Sequence, residues 1–420
     1  MISVLRYGID SSLRLELAPE VLVANCDAPR GEPLTHVAEA TSHALAGPLD
    51  FPSLSLAAVP GDKVALALEA GVPQAAAIVG RVVEVLIAAG VDAADITVIR
   101  TGADLETGAA DPIGQLSEDV RSRIGSQVHK PGNRESLSYL GASTDAKPIY
   151  INRIIHDADL VISIGCLRLS DSPGYYGIHT GVFPTFSEAA SLDRYRSAKL
   201  ASPTERKRLA TLVEEVSWLL GVRFSVQVVP GAGSDVLHVL AGDAAAVFRA
   251  GSQLCEDAWT YWVPHRADLV VATIEGDATQ QTWDNVARAL FATSHVVREE
   301  GAVAICTELA QKLGPGLQRI VGDEDLDAVL SEIRQYHPSD ALQASEVVHA
   351  LQRGKVYLVS RLDDELVEEL GMSPVTGEQV SRLASRYGSC ILLGNAQYAM
   401  ARPRLEDHDE VPAVKGKLRK

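Results

Sequence analysis

Asp159–Pro184 reads DLVISIGCLRLSDSPGYYGIHTGVFP. Its head, Leu160–Gly165, is an apolar, β-branched run of strand length, and it empties into a segment punctuated by Gly174, Gly177 and Gly181. Glycine lets backbone approach a ligand closely or take positive φ where a side chain cannot. The exit from a buried strand is where open α/β sheets place their sites. The stretch therefore predicts a buried strand feeding a ligand loop.

Upstream, Lys63–Glu69 (KVALALE) and Ile96–Gly102 (ITVIRTG) have the same strand character. Between them Pro73–Gly90 (PQAAAIVGRVVEVLIAAG) spaces its apolar residues helically, entering through a proline and leaving through a glycine. A strand-helix-strand unit of this kind predicts a parallel sheet with right-handed crossovers. Downstream, Ser225–Pro230 (SVQVVP) reads as a further strand and Asp243–Cys255 as a helix. The series restarts after Trp262–Pro264, with strands expected at Asp268–Ile274, Ala302–Cys306, Val356–Ser360 and Ser389–Leu393, and helices at Thr282–Thr293 and Asp363–Leu370. The pattern predicts two Rossmann-like α/β domains with parallel-type sheets, one over 1–258 carrying the glycine loop and one over 259–420. A cleft between such domains is a common place for a small-molecule site.

Composition narrows the partners. A chain of 420 residues that is 46% hydrophobic buries a sizeable core and exceeds one ordinary domain. A net charge of −17 repels phosphate backbones and anionic lipids, so neither nucleic acid nor a membrane is expected as a partner. The five cysteines, at 26, 166, 255, 306 and 390, are odd in number and never in C-x-x-C spacing, which argues against a disulfide framework and a thiolate metal site. Residues 1–20 carry no continuous apolar core with a small-residue cleavage site, and no apolar run reaches the ~18 residues that span a bilayer. A cytoplasmic location is the expectation. The basic tail Lys415–Lys420 (KGKLRK) reads as a solvated terminus.

Four strings occur in the order and at the spacing of a known family: Gln127–Gly141 (QVHKPGNRESLSYLG), Pro148–Gly165 (PIYINRIIHDADLVISIG), the Gly-x-x-Gly loop closing on Pro184, and Val239–Gly251 (VLAGDAAAVFRAG). On these the sequence resembles the nickel-pincer lactate racemase family, and the likeness extends through Asp268–Ala289 and Val356–Leu362. The resemblance implies two α/β domains with the active site between them and racemisation or epimerisation of a 2-hydroxy acid. It also implies a nickel-pincer nucleotide tethered by a loop lysine, two histidines as acid and base, and a further histidine that helps hold the metal.

Against that pattern, Thr180 stands where the tethering lysine belongs, Ser170 where the loop histidine belongs, and Asp104 where the base after the strand Ile96–Gly102 belongs. Arg196 falls on the metal-side histidine. Glu69-Ala70-Gly71-Val72-Pro73 replaces the family's Asp-x-x-Arg-Pro string, removing an arginine that would touch an anion. Covalent attachment of the cofactor is therefore expected to be absent, and whether any cofactor is retained stays open. Asp104 and His179 are the candidate catalytic groups. Asn285 and Arg288 share one helix face, similar to a glutamine and lysine pair that the family uses near substrate, and with Asp171, Tyr175, Thr180 and Arg196 they are the candidate ligand-binding residues. Asp171 and Arg196 are a possible ion pair, and no metal ligand set is expected. Solvated-face and helix-capping roles explain several of these residues equally simply. His129 reads as a structural hydrogen-bonding residue.

Three functions fit: a diverged racemase-type protein acting on or binding a 2-hydroxy acid, an enzyme of another class on the same scaffold using Asp104 or His179, and a non-catalytic anion or nucleotide binder. The expected partner throughout is a small-molecule carboxylate or nucleotide.

Overall fold

The computed structural model describes residues 2–143, 146–195 and 203–404. Its strands are, in chain order, β1 (Ile2–Tyr7), β2 (Ser11–Glu16), β3 (Leu22–Cys26), β4 (Val64–Leu68), β5 (Ile96–Arg100), β6 (Gly125–Val128), β7 (Leu137–Ala142), β8 (Pro148–Asn152) and β9 (Leu160–Cys166). They continue with β10 (Phe224–Pro230), β11 (Val236–Asp243), β12 (Thr260–Val263), β13 (Ala267–Thr273), β14 (Val297–Cys306), β15 (Lys355–Val359), β16 (Ser373–Pro374), β17 (Cys390–Leu393) and β18 (Met400–Pro403).

Two six-stranded sheets organise the molecule. The first runs β11-β10-β9-β4-β5-β6, parallel throughout except that β11 closes the edge antiparallel to β10. The second runs β16-β15-β14-β13-β17-β3 and is parallel at every pairing. Side-chain alternation gives each sheet two apolar faces, as parallel sheets require. In β4, Ala65 and Ala67 join a cluster with Ile151, Phe183, Phe186 and Val213, whereas Leu66 and Leu68 face the helix Ala75–Ala88 in the main core. In β13, Leu269 and Val271 pack with Leu5, Leu13 and Leu15 of the β1–β2 hairpin, whereas Val270 and Ala272 point into the main core. That core is continuous across both lobes, with the fully buried Trp259 donating from Nε1 to the Pro230 carbonyl at 2.9 Å.

One expectation about the lobes needs correction. Residues 1–258 do not all belong with the first sheet, because β3 is a strand of the second sheet, in register with β17, and the β1–β2 hairpin covers that sheet's outer face. The physical reason lies in the hairpin: Leu5, Leu13 and Leu15 need an apolar surface, and β13, β14 and β17 supply one.

The connectivity fixes where a site can lie. In the first sheet the chain leaves β4 for β5 on one side, while β9 flanks β4 on the other. In the second, β14 and β17 flank β13 in the same way. Each is a point where the strand order reverses, and a crevice opens there beyond the carboxyl ends of the strands. Side chains join the two crevices: Gln280 Nε2 donates to the Gly71 carbonyl at 3.0 Å, Asn395 Oδ1 accepts from the Gly233 amide at 2.8 Å, and Arg402 pairs with Asp171 at 2.8 Å. Among the described residues no helix is long and apolar enough to cross a membrane.

Candidate active site

The chain enters the crevice of the first lobe three times. Glu69 follows β4, Asp104 sits in the helix Gly102–Glu106 just after β5, and the glycine loop follows β9. From the second lobe the turn after β13 supplies Asp277, Thr279 and Gln280. Together they enclose a cavity of about 270 Å³, lined among others by Glu69, Arg100, Asp104, Thr279 and Gln280 and by Ala75, Ala76 and Ala77.

Those alanines are the first turn of the helix Ala75–Ala88, which begins at Gln74 in the left-handed region (φ 53°) without a side-chain cap. An uncapped helix start presents free amides and the positive end of the helix dipole. Arg100 completes the positive side, and its buried Nε has no hydrogen-bond partner. Opposite stand two carboxyls whose ionised forms are disfavoured. Asp104 is 6% exposed. Burial pushes it up to about 6, against the Gly71 amide donating to Oδ1 at 3.3 Å and the Arg100 charge, while Glu69 adds repulsion. Glu69 is raised chiefly by burial, opposed by Arg168, by the Cys166 amide donating to Oε2 at 3.2 Å, and by Arg288. An anion-attracting pole and two carboxyls whose pKa values are raised thus share one small cavity.

The glycine loop conforms to its sequence. Gly174 and Gly177 take positive φ, 77° and 98°. Gly181 is not held to glycine by its surroundings: a Cβ there would make ordinary contact, 3.5 Å from Ser163 Oγ and 3.7 Å from Glu69 Oε2.

The remaining candidates divide. Asn285 and Arg288 do share a face and touch, Arg288 Nη1 donating to Asn285 Oδ1 at 2.7 Å. Asn285 Nδ2 in turn donates to Gln280 Oε1 at 3.2 Å, which ties the pair to the cavity wall. Tyr175 is buried with its hydroxyl unpartnered. Thr180 lies next to Gly181, but its Oγ1 is engaged by the Tyr176 amide at 3.2 Å. Asp171 accepts from Arg402 at 2.8 Å, an ion pair across the lobes; Arg196, its expected partner, lies outside the described residues. His179 does not meet Asp104. It borders a separate cavity of about 940 Å³ with Phe51, Arg206, Trp218 and Arg249, and burial lowers its pKa. His129 is structural, its Nε2 donating to the Ser187 carbonyl at 2.8 Å and its Nδ1 accepting from Asn152 Nδ2 at 3.2 Å.

Three residues of the site were not singled out as ligand groups in the sequence. Glu69 belongs to the string Glu69–Pro73, and a carboxylate ending a buried strand is the signal that marks it. Arg100 ends β5 and Arg168 follows β9, each just past an apolar run. Charged residues at strand carboxyl ends were the clue to both.

Facing switch-point crevices with a carboxyl pair and an anion-attracting pole between them define a two-lobed α/β protein with a candidate site between its lobes. Residues 7–208 match the model of the lactate racemase N-terminal domain, so this part of the chain is lactate-racemase-like. It is similar in fold to the lactate racemase apoprotein of Thermoanaerobacterium thermosaccharolyticum, with a TM-score of 0.76 at 16% identity over 96% of this chain and 100% of that one. A structural-genomics target protein from Thermotoga maritima is similar with a TM-score of 0.64 at 13% identity over 89% and 99% of the two chains. No curated protein matches the sequence.

Proposed function

We propose that the interlobe cleft binds a small 2-hydroxy acid, and does so without a lysine-tethered nickel-pincer nucleotide. The observation that carries this is the cavity of about 270 Å³ in which unpartnered Arg100 Nε and an uncapped helix start face two carboxyls with raised pKa values. A substrate carboxylate sits against Arg100 and the first-turn amides, since helix starts and guanidinium groups are both suited to carboxylates. Its hydroxyl donates to Glu69 or Asp104. With a pKa of about 6, Asp104 holds a proton part of the time at neutral pH and is suited to moving one at the ligand hydroxyl.

The nickel nucleotide implied by the family needs an amine for its link and imidazoles near the metal. The residues present do not fit it. The loop offers Thr180, whose Oγ1 is already bonded, and His179 faces a different cavity. Among the described residues no cluster of three or more His, Cys, Asp or Glu side chains is arranged to hold a metal ion.

Calorimetric titration of the wild-type protein and Arg100→Gln with D- and L-lactate tests the proposal. Losing one charged hydrogen-bonding partner is expected to weaken binding about ten-fold or more. No heat with either enantiomer, or equal affinity in the variant, sinks it. Racemase activity is read in the same samples from the loss of optical rotation.

A further inference from the structure

Beside the cavity, on the glycine-loop side of Glu69, lies a second positive centre that no described carboxylate pairs with directly. Arg168 is 7% exposed. Its Nη1 reaches only the Gln397 carbonyl, at 3.5 Å, its buried Nε has no partner, and its guanidinium lies over the Tyr398 ring at 5.4 Å. Arg288 bonds to the Asn285 amide oxygen and to the Pro173 carbonyl, at 2.7 and 3.3 Å. Among the described residues neither guanidinium forms an ion pair. Burying a cation without a counter-charge is costly, so natural structures rarely leave one in that state. Of the two carboxyls whose charge reaches both guanidinium groups, Glu69 is itself disfavoured as an anion by burial, and Asp284 acts on them without forming an ion pair with either. Burial, with repulsion from Arg168 added, brings Arg288 down to about 10.

Unmet hydrogen-bonding capacity gathers around the same point. Tyr175, 4% exposed, has a free hydroxyl close enough to Glu69 and Arg168 to feel both charges. The Gln397 side-chain oxygen is also unpartnered. The centre connects to the cavity through Gln280, whose Oε1 accepts from Tyr398 Oη at 2.8 Å and from Asn285 Nδ2 at 3.2 Å. Tyr398 supports Arg168 and Asn285 supports Arg288, so both cations are hung from one cavity-wall residue.

We propose that the natural ligand carries a second anionic group, which Arg168 takes up with Arg288 and the Tyr175 hydroxyl beside it. The ligand class is a 2-hydroxy acid with a further carboxylate or phosphate, one group on the Arg100 side of Glu69 and the other on the Arg168 side. This rests on the hydroxy-acid function proposed above and adds a specificity element to it.

The test compares lactate with malate and with 3-phosphoglycerate, which share the 2-hydroxy carboxylate and differ in the second group, on the wild-type protein, Arg168→Gln and Arg168→Lys. One of the two dianions is expected to bind the wild type about ten- to hundred-fold more tightly than lactate. Whichever wins identifies the second group. Arg168→Gln is expected to lose that margin, the dianion-to-lactate affinity ratio falling toward one whatever happens to the lactate affinity itself, and Arg168→Lys to retain part of it. Equal binding of lactate and both dianions by the wild type overturns the inference and leaves the hydroxy-acid function standing, as does an undiminished margin in Arg168→Gln. Failure of all three compounds to bind removes both. Should Arg168→Gln not fold, the wild-type ratio and Arg168→Lys decide alone.

Discussion

Asp104 shows how a single residue couples the site to stability. Its folded-state pKa, about 6, lies above the ordinary value of 3.8, so the folded chain holds this proton more firmly than the unfolded one. Stability is therefore unaffected by this group below about pH 4, falls as pH rises through the interval to about 6, and carries the full cost above it. Asp104→Asn keeps an acceptor for the Gly71 amide and removes the charge. The variant is expected to be more stable than wild type by about 1–3 kcal/mol at pH 8 and indistinguishable at pH 4, checked by urea denaturation at the two pH values. An equal difference at both would show that burial of the charge is not the cause. The position of Asp104 was legible in the sequence, because a carboxylate just beyond a strand end has few places to go except the crevice. The fate of His179 was not: its loop was correctly placed, but which side of a glycine turn a ring faces depends on φ values at Gly174 and Gly177 that no spacing rule specifies.

At the scale of elements, β9 is the strand on which the site is built. Gly165 near its end is required by what crosses it, since a Cβ there would meet Glu69 Oε2 at 2.7 Å and Gln227 Oε1 at 2.8 Å. Gly165→Ala is expected to cost about 1–3 kcal/mol by overpacking. Glu69 would also be pushed off the Cys166 amide, so ligand affinity should fall by more than the thermal shift alone explains. Titration of the folded variant checks this, and unchanged affinity would mean that Glu69 does not contact the ligand. Strands such as β4, β9 and β13 could be read directly because burial on both faces forces continuous apolar runs. The antiparallel edge β11 and the leading hairpin could not. Val236–Asp243 mixes His238 and Gly242 into its apolar residues, and the partner of β3 lies more than three hundred residues away in β17.

At the scale of the whole molecule, the lobes are clamped by a few polar side chains above a shared apolar core. Asn395 is the most demanding of these. It sits in the left-handed region at φ 50°, its Oδ1 accepts from the buried Gly233 amide of the other lobe, and its Nδ2 donates to Glu275 Oε2 at 3.0 Å. Asn tolerates that backbone better than other non-glycine residues. Asn395→Ala leaves the Gly233 amide unpaired, which costs about 1–3 kcal/mol. Placing alanine in the left-handed region adds roughly 1 kcal/mol or more. Asn395→Gly removes the same bonds while relieving the backbone, so the gap between the two variants isolates the conformational part and the loss common to both measures the clamp. Equilibrium denaturation gives both numbers, and hydrogen exchange at Gly233 shows whether the interlobe contact opens. If exchange at Gly233 is as slow in Asn395→Gly as in wild type, the apolar core around Trp259 and Tyr398 is what keeps the cleft closed, and the polar bridges set only its register.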